Sequence, residues 1–140
     1  MIVCDSAPAR FNSKSEPSAA VDWHIDISRI IDILKVMTAE EQITVLKALS
    51  NDTRLKILGW LKEPRRNFGR QEVGDFVDDG VCVSLIQQKS GLSQSTVSSY
   101  LALLTRAGLV KAKRVGQWTY YQRNEDAIKR FVQDFGALLK

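Results

Sequence analysis

Between Gly80 and Asn124 the chain has no aspartate or glutamate in 45 residues, where its average content would place about five. Six basic residues fall in the same stretch: Lys89, Arg106, Lys111, Lys113, Arg114 and Arg123. A surface built from them meets a polyanion without a like charge to repel it. Other scarcities exclude whole classes of function. Two cysteines, Cys4 and Cys82, make no disulfide framework and fit a reducing compartment. The single histidine, His24, has no ligand or catalytic motif around it. No apolar run approaches membrane-spanning length, and Met1-Ile-Val-Cys-Asp5 lacks the basic and apolar blocks of a secretion signal. A cytoplasmic location with no membrane partner is therefore expected. Phosphate-cradling glycine loops, paired-carboxylate motifs and nucleophile elbows are missing, so neither an enzyme nor a cofactor is expected.

What is present suits one globular domain. The 140 residues, 44% hydrophobic and 26% charged, suffice to bury a core without disulfides or structural metal. Residues 1–20, rich in Ser, Pro and Ala without periodicity, read as a flexible tail, and 21–140 as the folded domain. Trp23, Ile27, Ile30, Leu34 and Met37 recur at spacings of four and three, with Ile31 widening the stripe, which predicts an N-terminal amphipathic helix. Thr38-Ala-Glu-Glu41 is a capping box that starts another helix, with Ile43, Leu46 and Leu49 expected on its inner face. Ser50-Asn51-Asp52 caps a third, carrying Leu55, Ile57, Leu58 and Leu61 and ending before Pro64.

Residues 63–80 interrupt the helices. Glu72, Asp75, Asp78 and Asp79 give 71–80 a charge of −4, and the stretch is long for a helix connection. A short helix is expected over Val81–Lys89, stopped by Gly91 in the left-handed conformation. The next runs from about Gln94 to Arg106, with Val97, Leu101 and Leu104 on one face and Ser95, Ser99, Ala102 and Arg106 opposite, flanked by Ser98. An ordinary solvated face would carry Lys and Glu; short polar side chains can instead approach base edges and phosphates closely. Lys111–Arg114 and Trp118–Arg123 read as a basic hairpin around Val115-Gly116-Gln117. Trp118, Tyr120 and Tyr121 are assigned to core and strand pairing rather than to stacking on single strands. A last helix, capped by Asn124, bears a wide stripe of Ile128, Phe131, Val132, Phe135, Leu138 and Leu139. Turn, helix and basic hairpin in this order are the layout of a winged helix-turn-helix: mostly α with a small β-hairpin, an extra N-terminal helix and a C-terminal dimerisation helix. Double-stranded DNA is the expected partner.

Four segments in this order, Leu46-Lys-Ala-Leu-Ser-Asn-Asp-Thr-Arg54-Leu-Lys-Ile-Leu58, Gly91-Leu-Ser-Gln-Ser-Thr-Val-Ser-Ser-Tyr-Leu101, Ala107-Gly-Leu-Val110 and Gly116-Gln-Trp-Thr-Tyr-Tyr121, resemble the ArsR/SmtB family, dimeric winged-helix repressors that leave DNA when an inducer binds. The resemblance covers about residues 40–139. It implies recognition through Ser93, Gln94, Ser95, Thr96, Ser98, Ser99 and Tyr100, and a wing carrying Lys111, Lys113, Arg114 and Gln117. It also implies a homodimer through the first and last helices, with Ile27, Ile30, Leu34, Phe131, Phe135 and Leu138 at the interface.

The chain departs from that family in its ligands. Many relatives bind soft metals through two cysteines separated by one residue before the recognition turn; here Cys82 fits the first position and Ser84 the second. The family's other site uses Asp and His on the last helix, and residues 124–140 contain no His. A repressor without the usual metal site is therefore expected, with its inducer unidentified. Two alternatives stay open: a thiol-based redox sensor using Cys82, and a winged-helix module that binds a protein through its hairpin or acidic loop.

Overall fold

A computed structural model describes residues 36–140. The expected tail over 1–20, the stripe through Trp23, Ile27, Ile30 and Leu34, and Cys4 and His24 all lie outside the described residues. From Thr38 onward the local signals set the helix ends. The Thr38 hydroxyl accepts from the Glu41 amide at 3.2 Å, and the Glu41 carboxylate accepts from the Thr38 amide at 2.8 Å, so the capping box opens α1 (Ala39–Leu49). Asn51 caps α2 (Asp52–Trp60) by accepting from the Arg54 amide. Pro64 cannot continue a helix but can begin one, and it opens the single-turn α3 (Pro64–Asn67).

Two inner faces differ from expectation. On α1 the buried residues are Gln42, Val45 and Ala48, with Leu49 half-buried, while Ile43 and Leu46 are exposed. Small Ala48 gives no hydrophobic signal, yet it lets a neighbour approach, so the helix turns about 100° from the orientation its larger side chains suggest. On α2, Ile57 and Leu58 are buried, and Leu61 just after it, but Leu55 is exposed.

The predicted helix over Val81–Lys89 begins two residues late. Val81–Cys82 is a strand, β1, and the helix proper is α4 (Val83–Ser90), stopped by Gly91 at φ 67°. β1 is extended because its pairing partners are distant in sequence: Val81 pairs with Tyr121 and Cys82 with Tyr120. α5 (Gln94–Arg106) follows, capped by Ser93, then β2 (Val110–Val115), the Gly116-Gln117 turn, β3 (Trp118–Arg123) and α6 (Glu125–Leu138). The sheet is antiparallel in the order β1-β3-β2. Val45, Ile57, Ile86, Val97, Leu101, Leu104, Leu109 and Phe131 form the centre of the core. Among the described residues no helix is long and apolar enough to cross a membrane.

The 63–80 interruption is an ordered excursion. The Gln71 side-chain amide donates to the Gly80 carbonyl at 3.1 Å and accepts from the Cys82 amide at 2.9 Å. From β3, the Tyr120 hydroxyl donates to the Val73 carbonyl at 3.1 Å and the Gln122 amide to the Val77 carbonyl at 2.6 Å. Gly80, at φ 98°, lies so close to β3 that an added Cβ would come within 2.6 Å of the Tyr121 carbonyl oxygen. Only glycine satisfies both conditions.

Candidate nucleic-acid interface

α4, the turn at Gly91-Leu92-Ser93, and α5 form the helix-turn-helix. Val97, Leu101 and Leu104 anchor α5 in the core, which leaves Gln94, Ser95, Ser98, Ser99, Ala102 and Arg106 exposed. Among the described residues, the side chains of Gln94, Ser98 and Ser99 have no hydrogen-bond partner. Their donors and acceptors are available to a ligand. Ser93 is occupied: its hydroxyl accepts from the Thr96 amide at 3.2 Å and lies 3.1 and 2.8 Å from the Ser95 and Thr96 hydroxyls. Ser93 thus fixes the first turn of α5 and ties Ser95 and half-buried Thr96 to it.

Tyr100 is half-buried rather than projecting freely. The Arg54 guanidinium sits 5.2 Å from its ring centre, and the same side chain donates to the Ala48 carbonyl at 2.6 Å and the Lys47 carbonyl at 3.1 Å. One arginine therefore closes the C-terminus of α1 and packs on α5. Arg54 is a positioning residue that sequence reasoning did not single out, because its contacts cross between helices.

The wing residues Lys111, Lys113, Arg114 and Gln117 are all exposed, but they do not form one face. Lys113 pairs with Tyr120 and Arg114 with Thr119, and neighbours along a strand point to opposite sides of the sheet. Lys113 points to the acidic excursion: its ammonium donates to the Asp79 carboxylate at 2.5 Å and to the Asp78 carbonyl at 3.3 Å. The Lys113 hydrogen bond, with the Asp75 amide second, holds the Asp79 carboxyl below the usual carboxylate range. Arg114 has only a long bond to the Gly116 carbonyl.

The acid-free segment is therefore less uniformly basic on its surface than in its sequence. Arg123 is only 13% exposed, paired with Glu125 at 2.8 Å and donating to the Leu58 carbonyl. Lys89 lies over the Trp60 ring at 5.1 Å. Among the described residues, Arg106, Lys111 and Arg114 remain as the cations of the segment without an acidic partner, Arg106 at the end of α5 and the other two on opposite sides of the wing.

The other candidate residues fall in three places. Phe131 is buried in the protomer's own core, and its ring stacks on half-buried Phe135 at 5.3 Å. Leu138 is exposed, as are Val132 and Leu139. Ile43 and Leu46 on α1 are exposed too, as is Val36 ahead of it, and the Met37 amide just before α1 donates to Asp134 of α6 at 2.7 Å. Ile27, Ile30 and Leu34 lie outside the described residues. Cys82 is a buried free thiol that accepts from the Ser84 hydroxyl at 3.2 Å. Among the described residues, no three Asp, Glu, Cys or His side chains converge as metal ligands. Cys82 and Ser84 supply a single soft donor, which does not fit the family's thiolate metal centre. Tyr120 is buried, as expected; Trp118 pairs with Val115 in the hairpin, as expected, but at 42% exposure it is not part of the core.

No family model matches the chain. It is 57% identical over 92 residues to the HTH-type transcriptional regulator YbzH of Bacillus subtilis, itself uncharacterized, covering 66% of this chain and 92% of that protein. A Halobacterium salinarum protein named for the repressor of an arsenical resistance operon, ArsR2, is 37% identical over 83 residues, 59% of each chain. An ArsR-like transcriptional regulator from Rhodococcus sp. RHA1 shares the fold at a TM-score of 0.51 and 23% identity, over 71% of this chain and 83% of that one. With a helix-turn-helix, a two-stranded wing and these relatives, the chain belongs to the ArsR/SmtB family of winged helix-turn-helix transcriptional regulators.

Proposed function

We propose that the chain is a cytoplasmic, homodimeric repressor that binds operator DNA, with α5 in the major groove and the β2–β3 hairpin along the phosphate backbone. The observation that carries this reading is the outer face of α5, where Gln94, Ser98 and Ser99 present unsatisfied short polar groups with no carboxylate near them in sequence. Gln94 and Ser95 are assigned to base edges, and Lys111, Arg114 and Arg106 to phosphates. Residues 21–140 form the functional unit. Its dimer contact is assigned to the exposed apolar side chains of α1 and α6, including Leu138, together with the Ile27, Ile30 and Leu34 stripe. The inducer is not a thiolate-bound metal, because Ser84 stands where a second sulfur would be needed.

Footprinting on the promoter next to the protein's own gene tests the reading. Two protected half-sites one helical turn apart, ~10 bp, or a multiple of it are expected. The affinity should fall with salt by a log–log slope of about 0.9 per phosphate contact. A single unpaired half-site, or salt-independent binding, would refute it.

A further inference from the structure

A cavity of about 320 Å³ lies beside the helix-turn-helix, between the 70–73 segment, the start of α4 and β3. Arg70, Glu72, Cys82, Ser84, Trp118 and Tyr120 are among its walls. The volume falls at the lower end of the ~300–1,000 Å³ usual for small-molecule sites. We infer that this cavity binds a small planar aromatic carboxylate and that its occupancy regulates DNA binding; the second half rests on the function proposed above, the first does not.

Three observations carry the inference. First, the walls are preformed. Gln71 bridges Gly80 and Cys82, and the Tyr120 hydroxyl holds the Val73 carbonyl, so the excursion keeps its distance from β3 without a ligand. Second, Trp118 leaves a large aromatic surface 42% exposed at the cavity while Tyr120 beside it is buried. An indole in that position offers a stacking face. Third, the charged groups at the cavity have no partners among the described residues. Among the described residues, neither Arg70 nor Glu72 has a hydrogen bond or ion pair. A guanidinium matches a carboxylate in a two-pronged, charge-assisted contact. Glu72 supplies the opposite charge, so a monoanion fits and a dianion is opposed.

The cavity joins the parts that a regulator must move. Ser84 and Gln88 belong to the first helix of the helix-turn-helix, and Trp118 pairs with Val115 at the tip of the wing. The excursion that closes the cavity also holds Lys113 through Asp79. A ligand that binds one arrangement of loop and wing better than the other shifts DNA affinity by that difference.

The test uses the full chain labelled with nitrogen-15, 2-naphthoate as probe, and the indole N–H signals of its three tryptophans, with Trp118 assigned through Trp118→Phe. Naphthoate should move the Trp118 signal saturably. Arg70 is exposed and has no partner among the described residues, so Arg70→Gln should leave the fold intact and weaken binding by about tenfold or more, as should replacing the probe by neutral 2-naphthamide. No saturable shift, or equal binding by Arg70→Gln or by the amide, overturns the assignment. Operator retardation is then measured with and without naphthoate: a changed affinity is expected, and an unchanged one overturns the regulatory half. Naphthoate binding by a protein that binds no operator would leave the cavity standing and remove the DNA-binding reading instead.

Discussion

Asp79→Asn should make this protein bind DNA more tightly and with a steeper dependence on salt. Lys113, a basic residue on the wing, is held by the Asp79 carboxylate and the Asp78 carbonyl. For Lys113 to reach a phosphate, it must exchange one anionic partner for another. That exchange releases little net counterion, so Lys113 should contribute well under the ~0.9 slope that a free cation adds per phosphate. Asparagine is nearly isosteric, and its side-chain oxygen can keep the bond that Asp79 accepts from the Asp75 amide at 3.1 Å. The substitution therefore frees the lysine with little change to the loop. Exposed ion pairs of this kind are weak, so the affinity gain should stay within about fivefold. The slope should nonetheless steepen by about 0.9, and Lys113→Ala in the Asp79→Asn background should remove that increment. In the wild type, Lys113→Ala should alter the slope far less, whereas Arg114→Ala should cost the same in both backgrounds. The assay is fluorescence anisotropy with a labelled operator between roughly 50 and 200 mM salt. Equal slope losses for Lys113→Ala with and without Asp79 would refute the argument.

Gly80→Ala should destabilise the fold by at least ~1–3 kcal/mol, because it combines a left-handed backbone with a side chain driven into β3; an unchanged urea midpoint would contradict this. Tyr120 is pushed above its usual pKa of 10.0, first by burial and then by electrostatic interaction with Cys82 and Asp79. Its neutral hydroxyl is the donor to Val73, so the stability it confers is complete below pH 10 and is lost as pH rises through the raised value. Phenolate absorbance should show this step missing in Tyr120→Phe, and a step at the ordinary value would sink the idea. Leu138→Glu should leave the protomer folded, since Leu138 is exposed, yet should split the dimer in sedimentation at micromolar concentration. Phe131→Glu cannot serve that purpose, because it would break the protomer's core.

The local chemistry of the chain was enough to delimit most elements. Thr38, Asn51, Ser93 and Asn124 each offer a side-chain acceptor to an orphan helix amide, and Gly91 and Gly108 supply the left-handed residues that end α4 and α5. The exposed face of α5 was legible for the same reason: with Val97, Leu101 and Leu104 as its only consistent apolar row, burying that row exposes the serines. Contacts between distant segments decided the rest. α1 carries apolar side chains on two sides, and only packing against its neighbours through Ala48 determined which side turned inward. Val81 and Cys82 became a strand because β3, some forty residues later, presented an unpaired edge. Lys113 looked equivalent to Arg114 in sequence, yet strand alternation turned it toward Asp79, whose position depends on Gln71 and Gly80. Helix caps and turns draw their free energy from residues a few positions apart, so sequence determines them. Strand pairing, choice of buried face and ion pairing draw theirs from surfaces that exist only once the chain has folded.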